Sequence, residues 1–176
     1  MQRPNRILVT AAMLAAGAAA APAGAADARA SAVLAPTQGN AVAGTVTFEQ
    51  RGDRVVVTAE ITGLKPGSQH GFHVHEKGDC SAPDATSAGG HFNPGGKPHG
   101  HHASPERHGG DLPNLVADEE GRARYTAATT LLTVAAGPAS VVGRGVVVHR
   151  DPDDYKSQPA GNSGPRIACG VIRAGG

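Results

Sequence analysis

The chain has 176 residues and a formal net charge of +1 at pH 7. This near-neutral charge excludes a strongly basic nucleic-acid-binding protein. Beyond the first thirty residues no long apolar segment exists, so the sequence predicts a soluble protein without a membrane partner.

The N-terminal segment resembles a secretory signal peptide. Two arginines precede an apolar, alanine-rich run over residues 7–21, and Ala23-Gly24-Ala25 and Ala28-Arg29-Ala30 both suit a signal peptidase. We expect residues 1–30 to be the signal, with cleavage between Ala25 and Ala30, and residues 31–176 to form one periplasmic or secreted domain. A membrane-anchoring N-terminus is the alternative.

Short runs that alternate apolar and polar residues follow, separated by turn residues. No window shows convincing helical periodicity, so an antiparallel sandwich or barrel is predicted. Gln50-Arg51-Gly52-Asp53 and Glu120-Gly121 are the clearest hairpin turns. The predicted strands span residues 41–50, 54–62, 70–76, 115–119, 122–128, 145–149 and 167–172.

Two segments do not fit the pattern of strands. Residues 77–114 form a stretch of 38 residues with eight glycines and five prolines, which oppose regular structure. Residues 150–165 are charged and rich in glycine and proline. Loops this long in a compact domain are usually functional, so both are predicted to be active-site loops.

The chain contains two cysteines, Cys80 and Cys169. In an exported protein the simplest expectation is one disulfide between them. Two free or metal-bound thiols would be the alternative.

Seven of the nine histidines lie between Gly71 and Asp111, a pattern typical of a metal site. His73 and His75 project from the same face of a predicted strand, because successive side chains on a strand point to opposite faces. His149 ends another apolar strand and is a candidate third ligand. If His73 and His75 were considered alone, the alternative would be two surface histidines on a strand that bind no metal.

His91 belongs to a second candidate group. An all-histidine site suits copper, whereas three imidazoles and one carboxylate suit zinc. Since imidazole has two nitrogens, His91 can serve both sites and bridge two cations. The second group contains His91, His99, His108 and Asp111.

The chain resembles copper/zinc superoxide dismutases of the exported bacterial kind. The resemblance covers essentially residues 32–172 and implies an antiparallel Greek-key β-sandwich or barrel of about eight strands with two long functional loops. It is carried by GFHVH at 71–75, GGHFNP at 89–94, a histidine eight positions after His91, RHGGDLPN at 107–114, VVVH at 146–149 and GNSGPRIACGVI at 161–172.

The resemblance also implies the roles of individual residues. Arg166 would attract the anionic substrate, and Asp153 would link His73 to His99. Cys80 and Cys169 match the family disulfide. The implied copper ligands are His73, His75, His91 and His149, and the implied zinc ligands are His91, His99, His108 and Asp111.

The implied activity converts two superoxide anions and two protons to O2 and H2O2. Copper would alternate between Cu(II) and Cu(I), zinc would position the bridging His91, and His91 would carry a proton to the departing peroxide. A homodimer is possible, although no motif chooses the oligomeric state. The alternatives are a non-catalytic copper/zinc-binding module of the same fold and a secreted sandwich with a purely structural zinc.

Some residues lie outside this pattern. His70 is expected to be a hydrogen-bonded residue that binds no metal, and His101 and His102 are expected to be exposed. The loop at residues 150–165 is shorter than in animal-type relatives. Ala160 stands where many of those relatives place a threonine.

Overall fold

Antiparallel strands make up nearly all the regular structure in residues 28–175, the part of the chain that the computed structural model describes. This confirms the predicted all-β fold. The strands are β1 (Arg29–Pro36), β2 (Ala43–Arg51), β3 (Arg54–Thr62), β4 (Gln69–His70), β5 (Phe72–His75), β6 (Leu115–Val116), β7 (Ala123–Thr129), β8 (Gly145–His149), β9 (Arg166–Val171) and β10 (Arg173–Ala174), with a single 3-10 turn at Thr86–Ala88.

Alternation of apolar and polar residues explains why the central strands pair as they do. In β3, Val55, Val57 and Ile61 are buried, whereas Thr58 and Glu60 between them are exposed. The strand pairs with β2 on one side and β7 on the other. A slip by one residue would turn the valines to solvent, so burial of one face determines the register.

The sheet order is that of a Greek key. Strands β1, β2 and β3 form a meander, and β9 returns to lie beside β1. The larger sheet runs β5-β8-β9-β1-β2-β3-β7, with β10 added to β1, and β4 pairs with β6 in a second small sheet. The core is built around large, fully buried side chains, among them Phe48, Phe72, Leu34, Ile61 and Leu115.

The largest differences between the predicted and the observed strands lie in three places. Strand β1 was not predicted, because its sequence follows directly on the alanine-rich segment. The predicted strand at 70–76 is divided: the Gly71 N–H donates to Asp151 O, β4 pairs with β6, and β5 pairs with β8. The predicted strand at 115–119 contains only the two residues of β6. Most of the predicted signal peptide, residues 1–27, lies outside the described residues.

A disulfide joins the first long loop (residues 77–114) to the larger sheet. Cys80 and Cys169 are bonded to each other, as predicted, across a sequence separation of 89 residues. Ala85, Ala88 and Val147 form a small buried cluster with Cys169 beside this bond. The covalent link therefore fixes the loop on β9, and it is consistent with an exported protein. Within residues 28–175, no helix has the length and apolar character needed to cross a membrane.

Candidate metal centre

Strands β5 and β8 position three histidines side by side. His73, His75 and His149 are all buried, with relative exposures of 0%, 1% and 4%. The strands pair in antiparallel register, with Phe72 opposite Val148, so the end of β8 lies next to the start of β5. The His149 side chain reaches along β5, and its Nε2 lies 3.3 Å from His75 Nε2.

Backbone hydrogen bonds bring His91 to the same place. The Phe92 N–H donates to Val74 O at 2.8 Å, and the Val74 N–H donates to Gly110 O at 3.0 Å. A β-carbon at position 110 would overlap the Val74 carbonyl oxygen, so only glycine allows this approach. The Glu76 N–H also donates to Gly90 O at 2.9 Å, so the loop is joined to β5 on both sides of His91.

Four imidazoles meet at this point. One nitrogen from each ring lies within 4.8 Å of the others, and all four residues are buried. We refer to this set as the four-histidine group. Its members are His73, His75, His91 and His149.

The hydrogen bonds of the four-histidine group leave its inner nitrogens available. His73 Nε2 is bonded to Asp153, His75 Nδ1 to Gly89 O and His149 Nδ1 to Gly164 O. The opposite atom His73 Nδ1 is buried and has no hydrogen-bond partner, and the same holds for His91 Nε2. Buried polar atoms normally have a partner, so these orphaned nitrogens fit a site for a cation.

A second group, the three-histidine–aspartate group, surrounds the carboxylate of Asp111. Asp111 Oδ1 is 2.8 Å from His91 Nδ1, 3.1 Å from His99 Nδ1 and 3.2 Å from His108 Nδ1. Asp111 Oδ2 accepts the backbone N–H groups of Gly100 and His108. The ligand atoms of His91, His99, His108 and Asp111 again lie within 4.8 Å of one another.

His91 belongs to both groups through different nitrogens. Its Nδ1 faces Asp111, whereas its Nε2 is the unpartnered atom beside the other three imidazoles. Four imidazoles suit copper, and three imidazoles with one carboxylate suit zinc. The arrangement can therefore hold two unlike cations on either side of one ring.

The protonation of the histidines depends on the group to which they belong. Burial, with the neighbouring charge of His73, lowers the pKa of His91 to about 4. Burial also acts to lower the pKa of His99, but its close contacts with the carboxylates of Asp111 and Asp153 outweigh this effect and raise the pKa to about 9. His91 is therefore neutral at pH 7, whereas His99 carries a proton until a cation displaces it.

Asp153 lies in the second long loop (residues 150–165) and contacts both the four-histidine group and the three-histidine–aspartate group. Its Oδ2 lies 2.8 Å from His73 Nε2, and its Oδ1 lies 2.9 Å from His99 Nε2. Despite burial, these hydrogen bonds hold the pKa of the Asp153 carboxyl below its usual range. A charged carboxylate therefore orients one imidazole of each group.

Arg166 lies opposite His149 in the β8–β9 register. Its guanidinium donates to the carbonyl oxygens of Ala85 and Gly89, each at 2.5 Å. It is partly buried, and its positive charge contributes to lowering the pKa of His149, for which burial is the main cause. These two hydrogen bonds thus hold the positively charged guanidinium of Arg166 beside the four-histidine group.

The remaining histidines lie outside both groups. His70 is buried, with Nδ1 bonded to His149 O and Nε2 2.6 Å from Ser68 Oγ. His101 is exposed as expected, but His102 is half-buried against the Tyr155 ring. Tyr155 packs there because the second loop folds over this segment, a contact that local sequence does not reveal.

Two amide side chains near the metal centre were not predicted. Asn114 is hydrogen-bonded to the backbone of Asp153, and Gln158 is hydrogen-bonded to the backbone of His99. Polar residues are common in loops, so a single sequence carries no signal for such pairings.

Comparisons with known proteins agree with this geometry. The family described as copper/zinc superoxide dismutase (SODC) matches residues 42–172. The Cu-Zn superoxide dismutase 2 of Aquifex aeolicus (strain VF5) is 40% identical over 151 residues, which are 84% of this chain and 88% of that protein. The Cu-Zn superoxide dismutase of Paramecium bursaria Chlorella virus 1 is 44% identical over 137 residues, which are 74% of this chain and 72% of that protein.

A solved structure gives the same result. The crystal structure of the clock protein EA4 superposes with a TM-score of 0.76 and 44% sequence identity, covering 84% of this chain and 94% of that one. With the family match over residues 42–172, these similarities show that the chain belongs to the copper/zinc superoxide dismutase family.

Proposed function

We propose that this chain is a superoxide dismutase that uses a copper and a zinc ion bound on opposite sides of His91. The observation that carries the proposal is the presence of His91 in both buried ligand groups. The four-histidine group would hold copper, and the three-histidine–aspartate group would hold zinc.

A copper ion that alternates between Cu(II) and Cu(I) supplies the electron transfer by which two superoxide anions and two protons become O2 and H2O2. The chain provides the charge that attracts the substrate. Arg166 presents a guanidinium that stays protonated at any working pH, and its two bonds to backbone carbonyls fix its position. A small anion is thereby drawn to the side of the four-histidine group.

His91 provides the proton carrier. Its Nδ1 is directed at Asp111, so Nε2 is the atom of this ring at which a proton can be held and then delivered to the departing peroxide. Burial keeps the ring dry, and the contacts of Asp111 with the three histidines keep it oriented. His91 thus combines a structural and an acid–base role.

The proposal is tested by metal analysis and a superoxide assay on the wild type and on His149→Ala. We expect the variant to lose copper and activity while zinc and the fold persist, because His149 belongs only to the four-histidine group. His101→Ala, at an exposed histidine outside both groups, is the matched control. Full activity in His149→Ala would contradict the enzyme assignment. A wild type that binds both metals without turnover would favour a non-catalytic module instead.

We also propose that the chain is exported after cleavage behind Ala25 and acts in the periplasm or outside the cell. Three observations support this site over a cleavage behind Ala30: Ala30 is fully buried, Arg29 is paired with Glu49 at 2.5 Å, and the Gln50 N–H donates to Ala28 O. The N-terminus of the exported protein, read by mass spectrometry, should be Ala26. A mature N-terminus at Ser31 would contradict this.

A homodimer is the proposed assembly. Val33, on β1, is 76% exposed, and its burial against a second copy would contribute to association through the apolar area removed from water. Sedimentation should give the mass of a dimer for the wild type and of a monomer for Val33→Asp. A monomeric wild type would exclude the dimer.

A further inference from the structure

The side chain of Gln158, in the second loop, forms two hydrogen bonds with the backbone of His99. The His99 N–H donates to Gln158 Oε1 at 2.9 Å, and Gln158 Nε2 donates to His99 O at 2.8 Å. A longer bond from the same Nε2 to Lys156 O, at 3.4 Å, anchors the amide to its own loop. The side-chain amide of Gln158 is therefore hydrogen-bonded to both the backbone N–H and the backbone carbonyl of His99, which lies 59 positions away in the sequence.

The arrangement is reciprocal. Asn114, three residues after Asp111 in the first loop, accepts the Asp153 N–H at Oδ1 and donates from Nδ2 to Asp153 O, at 2.9 and 3.0 Å. Asp153 in turn binds His99 Nε2 at 2.9 Å. Each loop thus holds the backbone of a functional residue in the other loop.

These contacts leave His99 little freedom. The second loop holds its N–H, its carbonyl oxygen and its Nε2, so the remaining nitrogen, Nδ1, is directed to a point 3.1 Å from Asp111 Oδ1. Without the two bonds from Gln158, the backbone at His99 would be held only on its C-terminal side, by the Gly100 N–H bond to Asp111 Oδ2. The backbone of His99 could then shift, and the ring would pivot about Asp153. Nδ1 would then leave its place in the three-histidine–aspartate group.

We propose that Gln158 is a positioning residue for the zinc site, acting through His99; the inference rests on the proposed function. Gln158 belongs to neither ligand group, and the residue as a whole is exposed. Its two bonds to His99 constrain the ligand as outer contacts constrain ligands in other metal sites.

The test is Gln158→Leu, which keeps the approximate shape of the side chain and removes both bonds to His99. Gln38→Leu is the matched control, since Gln38 is an exposed glutamine on the β1–β2 connection, outside the metal centre. Zinc affinity is measured by competition with a chromophoric chelator. Co2+ at the same site reports ligand geometry through its visible absorption bands, independently of activity.

We expect Gln158→Leu to bind zinc roughly tenfold more weakly than the wild type, at the lower end of the effect of outer contacts. Its cobalt spectrum should be shifted, and Gln38→Leu should match the wild type in both measurements. Wild-type zinc affinity and an unchanged cobalt spectrum in Gln158→Leu would overturn the proposal. Such a result would overturn the role of Gln158 but would not affect the proposed dismutase function. An inactive wild type would refute the dismutase function, but the comparison of zinc affinity between the wild type and Gln158→Leu would still test the role of Gln158.

Discussion

The imidazole rings of His73 and His91 stack with their centroids 3.9 Å apart and their planes inclined by 30°. One ring belongs to β5 and the other to the first long loop, and the unpartnered nitrogens of the centre include one from each. The stacking is possible because the loop is hydrogen-bonded to Val74, between the two histidines of β5. A strand and a loop thereby form one ligand set.

The shared position of His91 predicts a defect that no other ligand would produce. His91→Ala should weaken copper and zinc together, each by at least about tenfold, because a lost ligand costs more than a lost outer contact. His149→Ala should weaken copper alone. Metal content and chelator competition provide the comparison, and normal zinc affinity in His91→Ala would contradict the bridging arrangement.

Arg166 predicts a loss of rate without a loss of metal. Arg166→Ala should slow the reaction at low salt by about tenfold, since one fixed charge beside the site contributes to steering of the anion. The salt dependence of the rate should weaken as well. Arg166→Lys keeps the charge but cannot form the same two bonds to Ala85 and Gly89, so an intermediate rate is expected. Equal salt slopes in the wild type and Arg166→Ala would argue against steering by this residue.

The disulfide predicts a large change in the free energy of unfolding. The Cys80–Cys169 bond spans 89 residues, for which the loss of chain entropy gives about 4–5 kcal/mol as an upper figure. Cys80→Ser combined with Cys169→Ala should lower stability by most of this amount in urea unfolding of the metal-free protein. Activity should fall too, because the Ala85 and Gly89 carbonyls that hold Arg166 lie on the tethered loop. A change below about 1 kcal/mol would show that the tether adds little beyond the loop's other contacts.

Zinc uptake should release a proton from His99. With a pKa of about 9, His99 is protonated at pH 7 in the metal-free protein, and zinc must displace that proton. A raised pKa favours the protonated form, so zinc affinity should fall as the pH drops below about 9, by about tenfold per pH unit. His91, with a pKa of about 4, adds no proton between pH 6 and pH 8.

Calorimetry in buffers of different ionisation enthalpy measures this release. Asp153→Asn is the informative variant, because it replaces one of the two carboxylates that raise the pKa of His99 with a neutral amide. The pH dependence should begin at a lower pH in this variant. Zinc binding without proton release at pH 7 would contradict a protonated His99.

Local patterns predicted the central strands well. The predicted strands 54–62 and 145–149 coincide with β3 and β8, because alternation and buried valine runs are properties of neighbouring residues. Strand β1 was missed where the signal-like segment runs into it. The predicted strand at 70–76 is divided at Gly71 into β4 and β5, because β4 pairs with β6 and β5 pairs with β8 in a different sheet.

By itself, the sequence determined which chemical groups are present and which short segments are extended: imidazoles and one carboxylate in family-like order, and valine-rich strands between turns. Only the tertiary structure decided where these groups meet. Contacts such as that of Gln158 with His99 join residues 59 positions apart through backbone atoms that every residue possesses. Side-chain identity cannot encode such a pairing locally, so the folding of the two loops onto β5 and β9 creates the centre.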